Sequence, residues 1–305
     1  MRLMSDSGQV ISETATVYGW SENIGIHALV SVVNSLTVSG VLNAGAGIDI
    51  TYPPHSDKSR IYKMEKVIRK ECLRRGIRVL ETRIFENPLI AVPSVTVNGI
   101  AGVSENIRGY AGSEGGVWRM SEQESYAGAD IVLSKWIGMD GMLQVVREKM
   151  DTLTERFTPA FIRQILSYEK DLYADREISI AKDIGAASLC QITQGGLFAA
   201  LWGISQELNT GIEADMKQFS ILQETVEVCE YFRLNPYQLT SAGSFLFVTK
   251  EGEKLREALL GEGIMASVIG KTSEGKGKTI KNGEDVRCID RPSPDEIWKI
   301  HLLEG

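Results

Sequence analysis

The sequence contains few of the residues that build metal centres or disulfide frameworks. Its 305 residues include four cysteines and three histidines, all far apart. Structural zinc sites take closely spaced Cys and His ligands, so this pattern excludes a zinc module. Scattered thiols in a chain of this length are typical of a reducing compartment, which predicts a cytoplasmic protein. The residues are Cys72, Cys190, Cys229 and Cys288, with His27, His55 and His301.

Long hydrophobic runs are also missing from the sequence. The longest run, residues 197–204, is far shorter than the roughly 20 residues that cross a bilayer as a helix. The first residues lack the apolar segment of a secretory signal. We therefore expect neither a membrane partner nor secretion.

A net positive charge is a third feature that the sequence lacks. Acidic residues outnumber basic residues by 40 to 33, the formal net charge is −7, and both signs are interspersed along the chain. We take residues 271–281, interrupted by Glu274, as the densest basic stretch and expect a solvated hairpin there. Binding a phosphate backbone needs a concentrated Lys and Arg surface, so no nucleic-acid partner is expected.

The length predicts two domains, because 305 residues exceed the usual size of a single core. The first half alternates strands and helices and ends in consecutive strands. A polar, glycine-rich stretch at 104–129 marks the junction, which gives domains at 1–126 and 127–305. The predicted elements of the first half are strands at 9–19, 41–52, 77–85 and 92–103, with helices at 22–39, capped by Ser21, and at 57–75.

The second half also mixes strands and helices, and it ends in a hairpin around Asn282-Gly283. The predicted strands are 130–134, 187–192, 211–215, 245–249, 264–269, 278–281 and 284–288. The predicted helices follow Gly138 and cover 159–173, 176–184, 197–208, 222–232 and a segment ending at 260.

Two glycine-rich strings could hold a phosphate. Residues 270–277 approach a P-loop, but Gly277 stands where a magnesium-binding Ser or Thr is needed, and a hairpin follows instead of a helix. Thr193-Gln194-Gly195-Gly196 lies between a strand and an apolar helix, so Thr193 could cap the helix and the glycines could admit an anion to backbone amides. A tight turn explains the same residues, and that interpretation is favoured.

Other conspicuous side chains have structural explanations. Glu224, Glu227 and Glu230 share a helical face, which is more typical of a solvated surface than of a metal or acid–base site. His27 lies within an apolar helical run, which predicts core packing or a cap. Four tryptophans are expected to anchor the core or an interface: Trp20, Trp136, Trp202 and Trp298.

Short strings spread over most of the chain carry a resemblance to a known family: residues 22–25, 33–36, 130–138, 193–202, 223–230, 234–237, 241–244 and 266–270. In this order they resemble strings of the AIR-synthase-related superfamily. The likeness is greatest to the hydrogenase-maturation-factor-like proteins of bacteria.

The resemblance implies a fold and a chemistry. The fold is α+β with two domains: an N-terminal domain whose sheet pairs with that of a second subunit, and a C-terminal α/β-type sandwich. Superfamily members bind ATP at the subunit interface and hold its phosphates through Mg²⁺ coordinated by aspartates. A homodimer, or a heterodimer with an active homologue, is the implied assembly.

The sequence departs from the superfamily pattern at its acidic positions. An Asn-Asp pair appears as Asn34-Ser35, and aspartates of two further strings appear as Ala15 and Gln191. The opening Gly-Asp-Asp segment has no counterpart, so the first domain is taken as truncated at its start, and the C-terminal cysteine of hydrogenase maturation factors is also missing. The resemblance leaves these positions as remnants of a nucleotide or anion site, with no metal ligand: Asn34, Ser35, Glu81, Thr82, Lys135, Gln191, Thr193, Gly195 and Gly196.

The resulting hypothesis is a degenerate member of the superfamily, a pseudoenzyme that acts in binding or regulation. One alternative is an active ATP-dependent enzyme in which Glu13, Glu22, Asp49 or Glu81 replaces the lost acids. Another is a protein that binds a small anion at the Thr193–Gly196 turn without a metal.

Overall fold

The computed structural model describes residues 2–5, 8–41, 44–103, 111–112, 117–119 and 126–302. The chain divides into two compact units. The first comprises Met1–Gly109 and Gln144–Ile162, and the second comprises Tyr110–Leu143 and Arg163–Gly305. The domain boundary at residue 126 stays a prediction.

Strands and helices are numbered along the chain. The strands are β1 (Arg2–Ser5), β2 (Gly8–Tyr18), β3 (Gly45–Tyr52), β4 (Arg78–Glu86), β5 (Ser94–Val103), β6 (Ala111–Gly112), β7 (Val117–Arg119), β8 (Asp130–Ser134), β9 (Ser188–Gln191), β10 (Gly211–Asp215), β11 (Phe245–Thr249), β12 (Ala266–Ser273), β13 (Lys278–Asn282) and β14 (Asp285–Cys288). The helices are α1 (Ile24–Val38), α2 (Lys58–Arg74), α3 (Met139–Glu148), α4 (Met150–Arg156), α5 (Pro159–Ser167), α6 (Asp175–Ile184), α7 (Gly196–Leu208), α8 (Gln223–Phe232), α9 (Gly252–Gly261) and α10 (Trp298–Leu302).

The first unit is built on a sheet with the strand order β1-β2-β5-β3-β4. β5 pairs antiparallel with β2 and β3, and β4 adds parallel to β3. Side chains alternate across a sheet, so every second residue of these strands reaches the core that α1 and α2 cover. Ile48, Ile50, Val95 and Val97 are among the core residues.

The opposite face of this sheet is polar. The Arg83 guanidinium on β4 donates two hydrogen bonds of 2.6 Å to the Asp49 carboxylate on β3. Asn98 on β5 donates to Asp49 at 3.4 Å and accepts from the Thr14 hydroxyl on β2 at 2.9 Å. A hydrogen-bonded row of side chains therefore crosses four strands.

α2 forms where the periodicity predicts a helix. Its apolar residues recur every three or four positions and are fully buried, as expected for an amphipathic helix. The Asp57 carboxylate accepts a hydrogen bond of 2.9 Å from the Ser59 amide and so caps the first turn. The buried apolar residues are Ile61, Met64, Ile68 and Cys72.

The second unit is built on a sheet with the order β14-β13-β10-β12-β8-β11-β9-β7-β6. β11 lies between β8 and β9, and all its residues are buried. A strand covered on both faces reads as a continuous apolar run, which is why this strand was predictable. α7 packs on the same core through Leu197, Leu201 and Ile204. The two units mix helices and sheets, so the predicted α+β class is confirmed.

α1 begins later than predicted, at Ile24, and its N-cap is Asn23 instead of Ser21. The Trp20 and Ser21 amides donate to the Glu148 carboxylate at 2.7 and 2.8 Å. These bonds keep Trp20 and Ser21 outside the helix. Because Glu148 lies far along the chain, the local sequence does not predict them.

One further helix prediction needs correction, and one helix was not predicted at all. The helix predicted at 159–173 ends at Ser167 and continues as the 3-10 turn Tyr168–Asp171. α4 was not predicted, because Leu153 is its only buried residue and one position makes no apolar stripe.

The hairpin prediction is confirmed. β13 and β14 pair through Asn282 and Asp285, and Gly283 takes the left-handed φ of 66° that the turn needs. The P-loop-like residues continue β12 to Ser273 and then reverse into β13, with no helix following. Within the described ranges, no helix is long and apolar enough to cross a membrane.

Candidate functional site

The glycine turn at the start of α7 carries the clearest candidate site of the second unit. The N-cap is Gly195, with φ of 82°, and glycine has no side chain with which to cap the helix. The predicted Thr193 side-chain cap is therefore wrong. The Thr193 carbonyl instead accepts the Gly196 amide at 3.0 Å, which closes the turn through the backbone.

Close packing within the unit explains both glycines. A Cβ on Gly196 would lie 2.7 Å from the Tyr237 carbonyl oxygen and 2.8 Å from the Leu239 nitrogen. A Cβ on Gly195 would lie 2.7 Å from the Ala199 Cβ. Contacts this short are excluded sterically, so glycine is needed here whether or not a ligand binds.

The Asp295 carboxylate occupies the amide end of this turn. Its Oδ2 accepts the Gly195 amide at 2.7 Å, and its Oδ1 accepts the Ile297 amide at 2.9 Å. The Thr240 amide also donates to this carboxylate. The residue is only 4% exposed. The chain thus supplies its own anion at a helix start, where anions are favoured.

Burial raises the pKa of Asp295 to about 6, with a smaller contribution from the charge of Asp140. The hydrogen bonds from Ile297, Gly195 and Thr240 act in the opposite direction, because they stabilise the ionised form. Asp140 is itself buried and accepts the Thr240 hydroxyl at 3.1 Å. A second buried carboxylate therefore acts on Asp295 beside the turn.

Sequence reasoning missed Asp295. The only local signal is its position between Pro294 and the short tail helix α10, where Asp commonly caps a turn. Its partner Gly195 lies 100 residues earlier in the chain, and no local pattern joins the two.

Gln191 and Lys135 are both engaged within the second unit. The Gln191 Oε1 lies 3.4 Å from the Gly243 amide that donates to it. The Lys135 Nζ lies 2.5 Å from the Glu177 carboxylate and 2.8 Å from the Tyr173 carbonyl oxygen. Burial lowers the pKa of Lys135, and the neighbouring Glu177 opposes that shift. The arrangement is a buried ion pair with its hydrogen bonds satisfied.

The remaining candidates belong to the first unit. Asn34 and Ser35 are buried neighbours in α1. Glu81 and Thr82 follow each other on β4, where the Thr82 hydroxyl accepts from the Arg69 guanidinium at 2.8 Å. The structure thus groups Thr193, Gly195, Gly196 and Gln191 in one unit and Asn34, Ser35, Glu81 and Thr82 in the other. Their assignment to a nucleotide or anion site stays a prediction.

The residues that the resemblance places at the family metal positions do not fit Mg²⁺–ATP. Magnesium takes oxygen ligands and uses carboxylates to offset phosphate charge. Ala15 packs against the first core, and Ser35 and Gln191 are neutral. In the part of the chain that the structure describes, no three His, Cys, Asp or Glu side chains gather into a group that could hold a metal ion.

The acidic face predicted on α8 is correct only in part. Glu230 is exposed, but Glu224 is buried. The Gln164 side-chain amide donates to Glu224, and the Tyr168 hydroxyl lies 3.5 Å from it. The solvated interpretation of Glu224 is therefore wrong, because residues from α5 and the following turn cover it. His27 is buried in α1, as predicted.

These features define a class of protein, a two-unit α+β molecule with a glycine turn at the start of a helix in its second unit. The family model for the AIR synthase related protein, C-terminal domain, matches residues 128–282, half of the chain. The chain belongs to the AIR synthase related family, and the predicted superfamily is confirmed.

The similarity to known proteins extends over most of the chain, as one sequence relative and two solved structures show. A protein of Methanocaldococcus jannaschii, named as a candidate hydrogenase expression/formation protein, is 25% identical over 91% of this chain and 79% of its own length. The crystal structure of the E. coli hydrogenase maturation protein HypE has a TM-score of 0.70 at 17% identity, covering 95% of this chain and 88% of that one. A HypE structure in complex with ATP has a TM-score of 0.70 at 14% identity, covering 98% and 89%. The two structures show that the fold is shared.

Proposed function

We propose that this chain is a hydrogenase-maturation-factor-like protein that acts by binding or regulation, without Mg²⁺–ATP turnover. The hydrogen bond between the Gly195 amide and the Asp295 carboxylate carries the proposal. A phosphate would need that amide and would meet the negative charge already there. Asp140, buried nearby, adds to this repulsion.

Neutral residues at the family metal positions support the same function. Ala15, Ser35 and Gln191 cannot offset the charge of magnesium-bound phosphates as aspartates would. Two of the acids that could replace them are already paired: Asp49 with Arg83, and Glu22 with Lys63 at 3.1 Å. These pairs reduce the support for an active enzyme with substituted ligands.

The assembly that we propose is a homodimer, or a heterodimer with an active homologue, formed through the polar face of the first sheet. Phe85 is 47% and Ile100 43% exposed, and strand alternation places both on that face. Exposed apolar side chains bordered by hydrogen-bonding groups are typical of an interface. We propose a cytoplasmic location because Cys72, Cys190 and Cys229 are buried free thiols.

Calorimetry with ATP and Mg²⁺, combined with an ATP hydrolysis assay, tests the loss of turnover. We expect neither saturable heat nor hydrolysis from the purified chain, because the metal positions carry too little negative charge. The matched control is Lys276→Ala, a substitution in an exposed loop. Any weak heat or hydrolysis that wild type and this variant share is background.

Two outcomes would contradict the proposal. Metal-dependent micromolar binding with hydrolysis, both lost in Asn34→Ala and Thr193→Ala, would establish an active enzyme. Binding of inorganic phosphate without metal, strengthened in Asp295→Asn, would establish the anion-binding alternative, because that change removes the charge that competes for the Gly195 amide.

A further inference from the structure

Positive charge in this acidic protein is concentrated on α2 and the residues just after it. Residues 58–78 contain nine Lys or Arg and two Glu, a formal charge of +7 in a chain whose total is −7. All other residues together therefore carry −14. The choice of residues 271–281 as the densest basic stretch is thus wrong, since that segment has four lysines.

The exposed side of α2 combines this charge with large apolar side chains. At 100° per residue, Tyr62, Lys66, Lys70 and Leu73 fall on one stripe, opposite the buried stripe. Tyr62 is 60% and Leu73 81% exposed. With Lys58 at the helix start, these five residues form what we call the basic face of α2. The helix has 17 residues, so this face is about 25 Å long.

Neighbouring charges on the helix are neutralised, but those of the basic face are not. Arg69 pairs with Glu65 at 2.8 Å, Arg74 with Glu71 at 2.6 Å, and Lys63 with Glu22. Among the described residues, Lys58, Lys66 and Lys70 have no carboxylate within ion-pair distance. Surface charges that have no partner within the chain can pair with opposite charges on another molecule.

We propose that the basic face of α2 is a docking surface for an acidic amphipathic segment of a partner protein. Carboxylates of the partner meet Lys58, Lys66 and Lys70, while its apolar side chains cover Tyr62 and Leu73. Apolar anchors surrounded by charge are the usual composition of a protein interface. The inference does not depend on whether the chain turns over ATP.

Two observations favour a protein segment over a nucleic acid or an anionic membrane. Exposed Tyr62 and Leu73 gain nothing from a phosphate backbone, whose binding is electrostatic. The −14 charge on the rest of the molecule repels an extended polyanion or a charged lipid surface, but a short acidic segment can stay within the basic face.

Fluorescence anisotropy of a labelled amphipathic peptide of Glu, Leu and Phe tests the proposal on the full chain. A peptide of the same composition, scrambled to remove its apolar stripe, is the peptide control. We expect Lys66→Glu with Lys70→Glu to weaken binding by about tenfold or more, since attraction becomes repulsion. The matched control is Lys276→Glu with Lys281→Glu, which changes the net charge equally at exposed hairpin positions and should leave binding unchanged.

The double variant Tyr62→Ser with Leu73→Ser separates the apolar contribution to binding from the contribution of charge. We expect this variant to weaken the amphipathic peptide several-fold while binding poly-glutamate as wild type does. The proposal is overturned if the amphipathic peptide binds no better than its scrambled control, or if the control variant loses binding equally. Duplex DNA or phosphatidylserine vesicles binding more tightly than the peptide, with no effect of Tyr62→Ser and Leu73→Ser, would also overturn it.

Discussion

At the scale of the residue, the second unit holds two different kinds of buried charge. Lys135 and Glu177 neutralise each other in the interior, 42 positions apart in sequence. Asp295 is different, because its partners are backbone amides and the charged group that acts on its pKa is another acid, Asp140. The first arrangement pairs two opposite charges, whereas the second holds a carboxylate of raised pKa among backbone amides.

The pKa of Asp295 predicts a dependence of stability on pH. Burial raises this pKa from 3.8 to about 6, so the folded state binds the proton more tightly than the unfolded state does. The stabilisation is fully present below 3.8 and is lost as the pH rises to about 6. At about 1.4 kcal/mol per pKa unit, the loss is at most ~3 kcal/mol. Urea unfolding of wild type and Asp295→Asn across this range isolates the effect as a difference.

Asp140→Asn is the companion variant for this measurement. Removing the neighbouring negative charge should lower the pKa of Asp295 and move the midpoint of the difference curve to lower pH. A difference curve that is flat, or that rises with pH, would show that Asp295 is not held as the structure describes.

At the scale of the element, the start of α7 has glycines that resemble those of a ligand site but are needed for packing within the chain. The two glycines follow a strand and begin an apolar helix, as phosphate-binding turns do. Ala199 and the backbone of residues 237–239 lie so close to these glycines that no larger side chain fits. The amide at the turn is bonded to a carboxylate of the same chain.

Gly196→Ala tests this role of the turn. A Cβ there would lie 2.7 Å from the Tyr237 carbonyl oxygen, at φ of 65°, so the variant combines a clash with backbone strain. We expect a loss of about 2–4 kcal/mol in the free energy of unfolding, measured by urea denaturation. Gly263→Ala is the matched control: φ is 73° but nothing lies within 4 Å of the added Cβ, so only the strain of about 1 kcal/mol should appear. Equal losses in the two variants would remove the packing explanation.

The sequence predicted an element accurately where residues close in the chain determine it, and less accurately where distant residues do. β8, β10 and β11 have the predicted bounds. β8 and β11 are short apolar runs between turn signals, a pattern that defines buried strands. The start of α1 was wrong because the Glu148 carboxylate binds the Trp20 and Ser21 amides. The candidate site was harder still, since the Gly195–Asp295 contact joins two segments that are separately unremarkable in sequence.

At the scale of the whole molecule, charge is distributed unevenly. Residues 58–78 carry +7 while the remainder carries −14, although the composition alone reads as an ordinary acidic protein. The first sheet also has a polar face with exposed Phe85 and Ile100. These two surfaces of the first unit are the places where we propose that other chains bind.

Self-association through the first sheet is testable with charge substitutions. Phe85→Glu with Ile100→Glu places two carboxylates on the proposed interface, where burial without a partner is costly. We expect sedimentation velocity to show a shift from dimer to monomer, with an unchanged circular dichroism spectrum. Leu260→Glu with Met265→Glu, at residues that are each 40% exposed in the second unit, is the control. A wild-type chain that is monomeric at all concentrations contradicts the homodimer.

The sequence by itself determined the order of most elements, the superfamily resemblance and the neutral residues at Ala15, Ser35 and Gln191. These features depend on local periodicity and on residue identity, both of which can be read along the chain. Only the tertiary structure decided that Asp295 takes the Gly195 amide, that Glu177 neutralises Lys135, and that three lysines of α2 have no such partner among the described residues. Hydrogen bonds and ion pairs depend on distances between atoms, and folding sets those distances between residues that the sequence keeps far apart.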